Sequence, residues 1–159
     1  DKLVSAIQNC EEARKRPSVT AAPSNPGLKA TWYEFKGNKC SEIEKAPVNG
    51  TYPVEDVMIP KKVKGNIGLI IKGYFNAPQD DIYTFALLSD DGSTLTIDSE
   101  QIVDNDGPHG PKEIVGQKAL AKGYHPMELR YFDQNGGQLK LKVTGSDGKE
   151  IPFTHLYAH

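Results

Sequence analysis

The sequence predicts an all-β fold: an antiparallel β-sandwich of jelly-roll-like form, with a short helix and a linker ahead of it. Three observations carry this. Tyr83, Phe85 and Leu87 occupy alternate positions, and so do Leu95 and Ile97 between Thr94, Thr96 and Asp98, which is the period of half-buried strands. Turn signals recur at short intervals, at Asn76-Ala77-Pro78, Asp91-Gly92, Asp106-Gly107, Lys122-Gly123, Asn135-Gly136-Gly137 and Asp147-Gly148. No helical spacing intervenes between them, a combination typical of antiparallel sandwiches and barrels.

The helix is expected over residues 1–16. Leu3, Ile7, Cys10 and Ala13 share one face, the charged run Glu11-Glu12-Ala13-Arg14-Lys15-Arg16 lies mostly off it, and Pro17 ends it. A helix this short is marginal alone, so it is expected to close an upstream domain or to pack on the main one. Residues 17–27, rich in proline, serine and alanine, read as linker. The domain division therefore falls between 1–26 and 27–159. A first strand is expected over 28–35, where aromatic and β-branched residues gather. Residues 37–60, interrupted by Pro47, Gly50 and Pro53, are expected to form one long loop. Further strands are expected over 67–75, 82–88, 94–98, 101–104, 113–120, 125–132, 138–144 and 151–157. Along 138–144, Leu139, Leu141 and Val143 face inward while Lys140 and Lys142 face water.

Composition excludes several classes of function. The net charge of −2 leaves no basic stripe for nucleic acid, and no apolar run is long enough for membrane insertion as a helix. Cys10 and Cys40 are too few for a disulfide framework and lack metal-ligand spacing, so they are expected to be structural or free thiols. The first residue already reads as the interior of a folded chain. The sequence is therefore expected to be a piece of a longer protein, with other domains of the same chain as partners.

Short connections between antiparallel strands place successive turns at alternate ends of the body. The turns at 89–93, 104–111 and 133–137 then share one end. Those at 76–81, 99–100, 121–123 and 145–149 share the other. The first end gathers Asp90, Asp91, Asp104, Asn105, Asp106, His109, Asp133 and Asn135 on loops held by a rigid scaffold, where binding sites concentrate.

At these residues the chain resembles a known family. Ser89-Asp90-Asp91-Gly92-Ser93, then Ile102-Val103-Asp104-Asn105-Asp106-Gly107-Pro108-His109-Gly110, then Lys122-Gly123-Tyr124-His125-Pro126-Met127, and a Gly-Gly pair before the next strand follow the order of the protective-antigen fourteen-kilodalton (PA-fourteen) domain. The resemblance runs from about residue 27 to the carboxyl end. It implies a β-sandwich of the kind found in bacterial toxins, yeast adhesins and secreted glycosidases, many of whose members bind carbohydrate. It also implies an extracellular, periplasmic or cell-surface location. In the lectin-like members the adjacent aspartates, here Asp90-Asp91, are joined by a cis peptide and hold a calcium ion that ligates sugar hydroxyls. The resemblance places a further metal ligand in the loop at 133–137, with Asp133 the closest match and Asn135 the alternative. The family commonly has a glycine turn where this chain has Ser99-Glu100.

The residue chemistry is compatible with that implication. Calcium takes roughly six to eight oxygen ligands in irregular geometry. Successive side chains on an extended chain diverge, so Asp90 and Asp91 need an unusual local backbone to act together; an Asx-type turn is the alternative reading. The run Asp104-Asn105-Asp106-Gly107 imitates the start of an EF-hand loop, but it has no flanking helix and no closing glutamate, so it reads as a turn. His109 and Asn135 join Asp90 and Asp91 as candidate carbohydrate contacts, a solvated loop histidine being the alternative for His109. Glycosidase carboxyls must be set apart to flank a bond, whereas adjacent acids in one turn suit a shared ion. The sequence is therefore expected to be a non-catalytic, calcium-assisted lectin-like module of a secreted glycosidase or related protein. The alternative is a structural or protein-interaction domain of such an enzyme.

Overall fold

The computed structural model describes residues 25–134 and 137–158. The expected helix over 1–16 and nearly all of the linker lie outside the described residues, as does the candidate ligand Asn135. The strands are β1 (Asn25–Pro26), β2 (Leu28–Tyr33), β3 (Val48–Val54), β4 (Ile67–Ala77), β5 (Asp81–Asp90), β6 (Ser93–Ile97), β7 (Glu100–Asn105), β8 (Lys112–Leu120), β9 (Gly123–Asp133), β10 (Gln138–Thr144) and β11 (Leu156–Ala158). All pairings are antiparallel. The larger sheet runs β1-β11-β4-β9-β6-β7, and β2 pairs with β4 on one side and β3 on the other; the smaller runs β10-β5-β8. One edge of β4 is shared, meeting β2 along residues 68–72 and β11 at Tyr74 and Phe75.

The two sheets face each other because strict alternation gives each strand an apolar side. In β5, Tyr83, Phe85 and Leu87 are fully buried, and residues between them are half-exposed. They meet Leu69, Ile71, Phe75, Leu95, Leu129 and Tyr131 of the larger sheet in one continuous core. Phe75 stands edge-on to Tyr83 and Phe85, with ring centroids 5.2 and 5.6 Å apart. On β4, Ile67 to Ile71 are all buried, so the strand is covered on both faces. Its outer cover is a 3-10 helix, Cys40–Lys45, whose Ile43 and Cys40 pack with Phe35, Ile70 and Phe132. Arg130 of β9 pins this cover, donating to the Cys40 carbonyl at 3.1 Å and to Glu44 at 3.0 Å. Cys40 carries a free, buried thiol; burial, reinforced by the charge of Asp106, pushes its pKa well up.

The segment 37–60 corrects the expectation of one long loop. It contains the 3-10 helix and β3, which pairs with β2 from Val48 to Val54. β3 is an edge strand, which tolerates Pro53, and its ladder with β2 shifts register between Trp32 and Tyr33, beside Gly50. At the carboxyl end the expected strand over 151–157 is shorter: a 3-10 turn, Phe153–His155, precedes β11. Asn25 and Pro26, assigned to the linker by composition, pair with Ala158 and Tyr157 and so belong to the sandwich. The turn expected at 99–100 falls one residue earlier, at Asp98 and Ser99, both with positive φ (51° and 65°).

Candidate functional site

Three strand ends meet at one end of the sandwich. Asp90 is the last residue of β5 and Asp133 the last of β9, and Asp133 lies opposite Ile67 at the start of β4. The chain leaves β5 through a cis peptide between Asp90 and Asp91, crosses to the larger sheet and enters β6 at Ser93. One carboxylate oxygen each from Asp90, Asp91 and Asp133 lies within 4.8 Å of the other two. Two oxygens bound to one calcium ion at about 2.3–2.6 Å can be at most about 4.6–5.2 Å apart. The donor set is all oxygen and anionic, which suits a hard cation and not zinc. These residues therefore fit the ion the resemblance implies.

The surrounding backbone orients these acids. Both oxygens of Asp91 accept a main-chain N–H: Oδ1 from His109 and Oδ2 from Gln134, each at 3.1 Å. This one carboxylate thereby ties together all three loops of the end. Tyr131, fully buried on β9, donates its hydroxyl to the Asp90 carbonyl at 2.6 Å. Burial, together with the charges of Asp133, Asp90 and Asp91, drives the phenol pKa far up, so the hydroxyl stays a donor. Asp133 is itself buried, at 4% exposure, while Asp90 and Asp91 are half-exposed. The cluster thus has a buried side and an open side.

Two glycines allow the close approach. A side chain at Gly137 would collide with the Asp90 carbonyl, the Tyr131 hydroxyl and the Asp133 carboxyl. One at Gly92 would meet the Phe132 ring at 2.5 Å and the Gly107 backbone at 2.7 Å. In the sequence both glycines are turn punctuation and Tyr131 is an ordinary strand residue. What connects them to the site is strand register across the two sheets, which a single sequence does not display.

The remaining candidates have other surroundings. The ring nitrogens of His109 face backbone carbonyls, Nε2 on Asn105 at 2.8 Å and Nδ1 on Gly110 at 2.7 Å, and a neutral ring, with one N–H, donates to one of the two within the loop. Asp106 accepts from the Gly107 and Cys40 amides at 2.9 and 3.0 Å, and Asp104 accepts from the Asp106 amide at 3.2 Å, which makes this run a turn. Asn105 is buried, its Nδ2 donating to the carbonyls of Leu87 and Lys112 at 3.2 and 2.8 Å.

The family model of the PA14 domain matches residues 24–153. No curated protein sequence matches the chain. Among solved structures, a PA14 sugar-binding domain from an RTX adhesin superposes with a TM-score of 0.71 at 17% identity, covering 86% of this chain and 100% of its own. The epithelial adhesin 9 A domain of Candida glabrata, in complex with Galβ1-3GlcNAc, superposes with a TM-score of 0.64 at 14% identity, covering 88% of this chain and 92% of its own. A β-glucosidase from Kluyveromyces marxianus in complex with glucose matches over 84% of this chain but 18% of its own, with a TM-score of 0.61 at 18% identity. A profile match across most of the chain, and the same two-sheet sandwich kept at under a fifth sequence identity, together make this chain a member of the PA14 domain family.

Proposed function

We propose that this domain is a non-catalytic carbohydrate-binding module that holds its glycan through a calcium ion at Asp90, Asp91 and Asp133. The observation that carries the reading is the convergence of these carboxylates within 4.8 Å at a loop-built end of the sandwich. Calcium, when bound, offers open coordination positions to sugar hydroxyls. The chain's own residues do the rest: Asp133 supplies a buried anionic floor, the half-exposed Asp90 and Asp91 face the open side, and the His109 and Gln134 amides fix Asp91. Similarity to sugar-binding adhesin domains supports the ligand class. Asn135, which lies outside the described residues, is proposed as a sugar contact.

The occurrence of this fold within a β-glucosidase supports placing the module in a secreted or surface-exposed glycan-processing protein. There it would raise the effective concentration of substrate near a catalytic domain even when its own affinity is weak. A glycan array probed with calcium and again with chelator tests the reading. Binding with calcium that is lost in chelator is the expected result; an array blank under both conditions would leave a structural or protein-interaction domain.

A further inference from the structure

Residues 106–110 meet the site at two places: the His109 amide bonds Asp91 Oδ1, and the Gly107 backbone lies close against Gly92. This stretch contains Gly107, with φ +96°, and Gly110, and a side chain at either would meet open space. On the sides where those side chains would project, the loop packs against no described residue. Its base, in contrast, is held firmly. Buried Asn105 donates to Leu87 and Lys112 carbonyls on the two neighbouring strands of the smaller sheet, and Asp106 accepts from the Cys40 amide. The His109 imidazole lies between that base and the loop's far side, Nε2 2.8 Å from the Asn105 carbonyl oxygen and Nδ1 2.7 Å from that of Gly110, and a neutral ring, with one N–H, donates to one of the two.

We propose that His109 is a positioning residue: its imidazole is a strut, its one N–H bonded to the Asn105 or the Gly110 carbonyl, that holds its own backbone amide against Asp91, and so sets the cation affinity of the site. This inference rests on the calcium reading above. It assigns the side chain a different task from direct contact with sugar, and the two tasks separate experimentally. A sugar contact alters glycan binding and leaves cation binding without sugar unchanged; a strut alters cation binding itself. Removing a group that orients a metal ligand commonly weakens metal binding by about 10–100-fold.

The test uses calcium and terbium alone, without glycan, on the intact domain, with terbium emission excited through Tyr131, whose hydroxyl bonds the Asp90 carbonyl. His109→Ala and His109→Phe, both without a donor, are expected to raise the calcium Kd about tenfold or more. His109→Gln, which keeps an amide donor, is expected to recover most of the loss. Circular dichroism in chelator establishes that each variant is folded, and either donor-free variant suffices. Wild-type affinity in a folded Ala or Phe variant overturns the strut and leaves the calcium reading intact. Absence of cation binding by the wild type overturns both.

Discussion

At the scale of single residues, neighbouring aspartates with similar local sequence have opposite tasks. Asp91 accepts one amide on each oxygen yet remains half-exposed, so it keeps lone pairs for a cation. Asp106 turns its carboxylate onto the Gly107 and Cys40 amides. Asp91→Ala is therefore expected to abolish any calcium-induced rise in Tm. Asp106→Ala should keep the rise but lower Tm in chelator, because hydrogen bonds to a charged acceptor are worth about 1.5–3 kcal/mol. Thermal unfolding of both variants with and without calcium checks this, and an Asp91→Ala variant with the wild-type calcium shift would refute the assignment. Gly137→Ala should also lose the shift, since its Cβ would collide with the Asp133 carboxyl and the Asp90 carbonyl. The acids were legible in the sequence through the resemblance of the motifs around them to the PA14 domain, because acids beside glycine are ordinary turn residues and by themselves read equally as an Asx-type turn. Gly137 and Tyr131 were not, because their roles depend on which strands become neighbours.

At the scale of elements, legibility followed periodicity. β5 and β10 were read from alternation alone, and their register, Leu141 opposite Leu87 and Val143 opposite Phe85, puts the alternating apolar residues on one face. β3 was hidden because proline and glycine interrupt it, which an edge strand tolerates and a central strand does not. Contacts between the two sheets left no periodic trace either. One is the pair between Lys118 of β8 and Glu100 of β7, at 3.1 Å, in which the lysine side chain is 4% exposed and the glutamate 53%. Removing the acid strands a buried ammonium, whereas replacing the lysine with an apolar chain removes both the charge and its need for a partner. Glu100→Ala is expected to cost about 1–3 kcal/mol, tempered by the solvent reaching Glu100, and Lys118→Met to be near neutral. Urea unfolding of the two variants decides: equal losses would mean the pair contributes as a simple surface bridge.

At the scale of the whole molecule, the site was located by counting ends, and that count is robust to an error in topology. Most connections that read as hairpins cross between the sheets: β5 to β6, β7 to β8, β8 to β9 and β9 to β10 all change sheet. A crossing and a hairpin both reverse the chain, so the same loops reach the same end either way. Because the three acids come from β5, the β5–β6 turn and β9, which belong to two sheets, the site exists only when the sandwich is assembled. The unfolded chain cannot hold the ion in the same way, and binding must stabilise the folded state by mass action. At free calcium about 100 times Kd the stabilisation is about 2.7 kcal/mol, which for a domain of this size raises Tm by roughly 5–10 °C. A glycan recognised through the ion should add a further increase in calcium and none in chelator. Scanning calorimetry across a calcium series, with and without a glycan that scores on the array, measures both steps. A calcium series with a flat Tm would remove the ion from the mechanism, and a glycan increment that persists in chelator would move the sugar to a different surface of the sandwich.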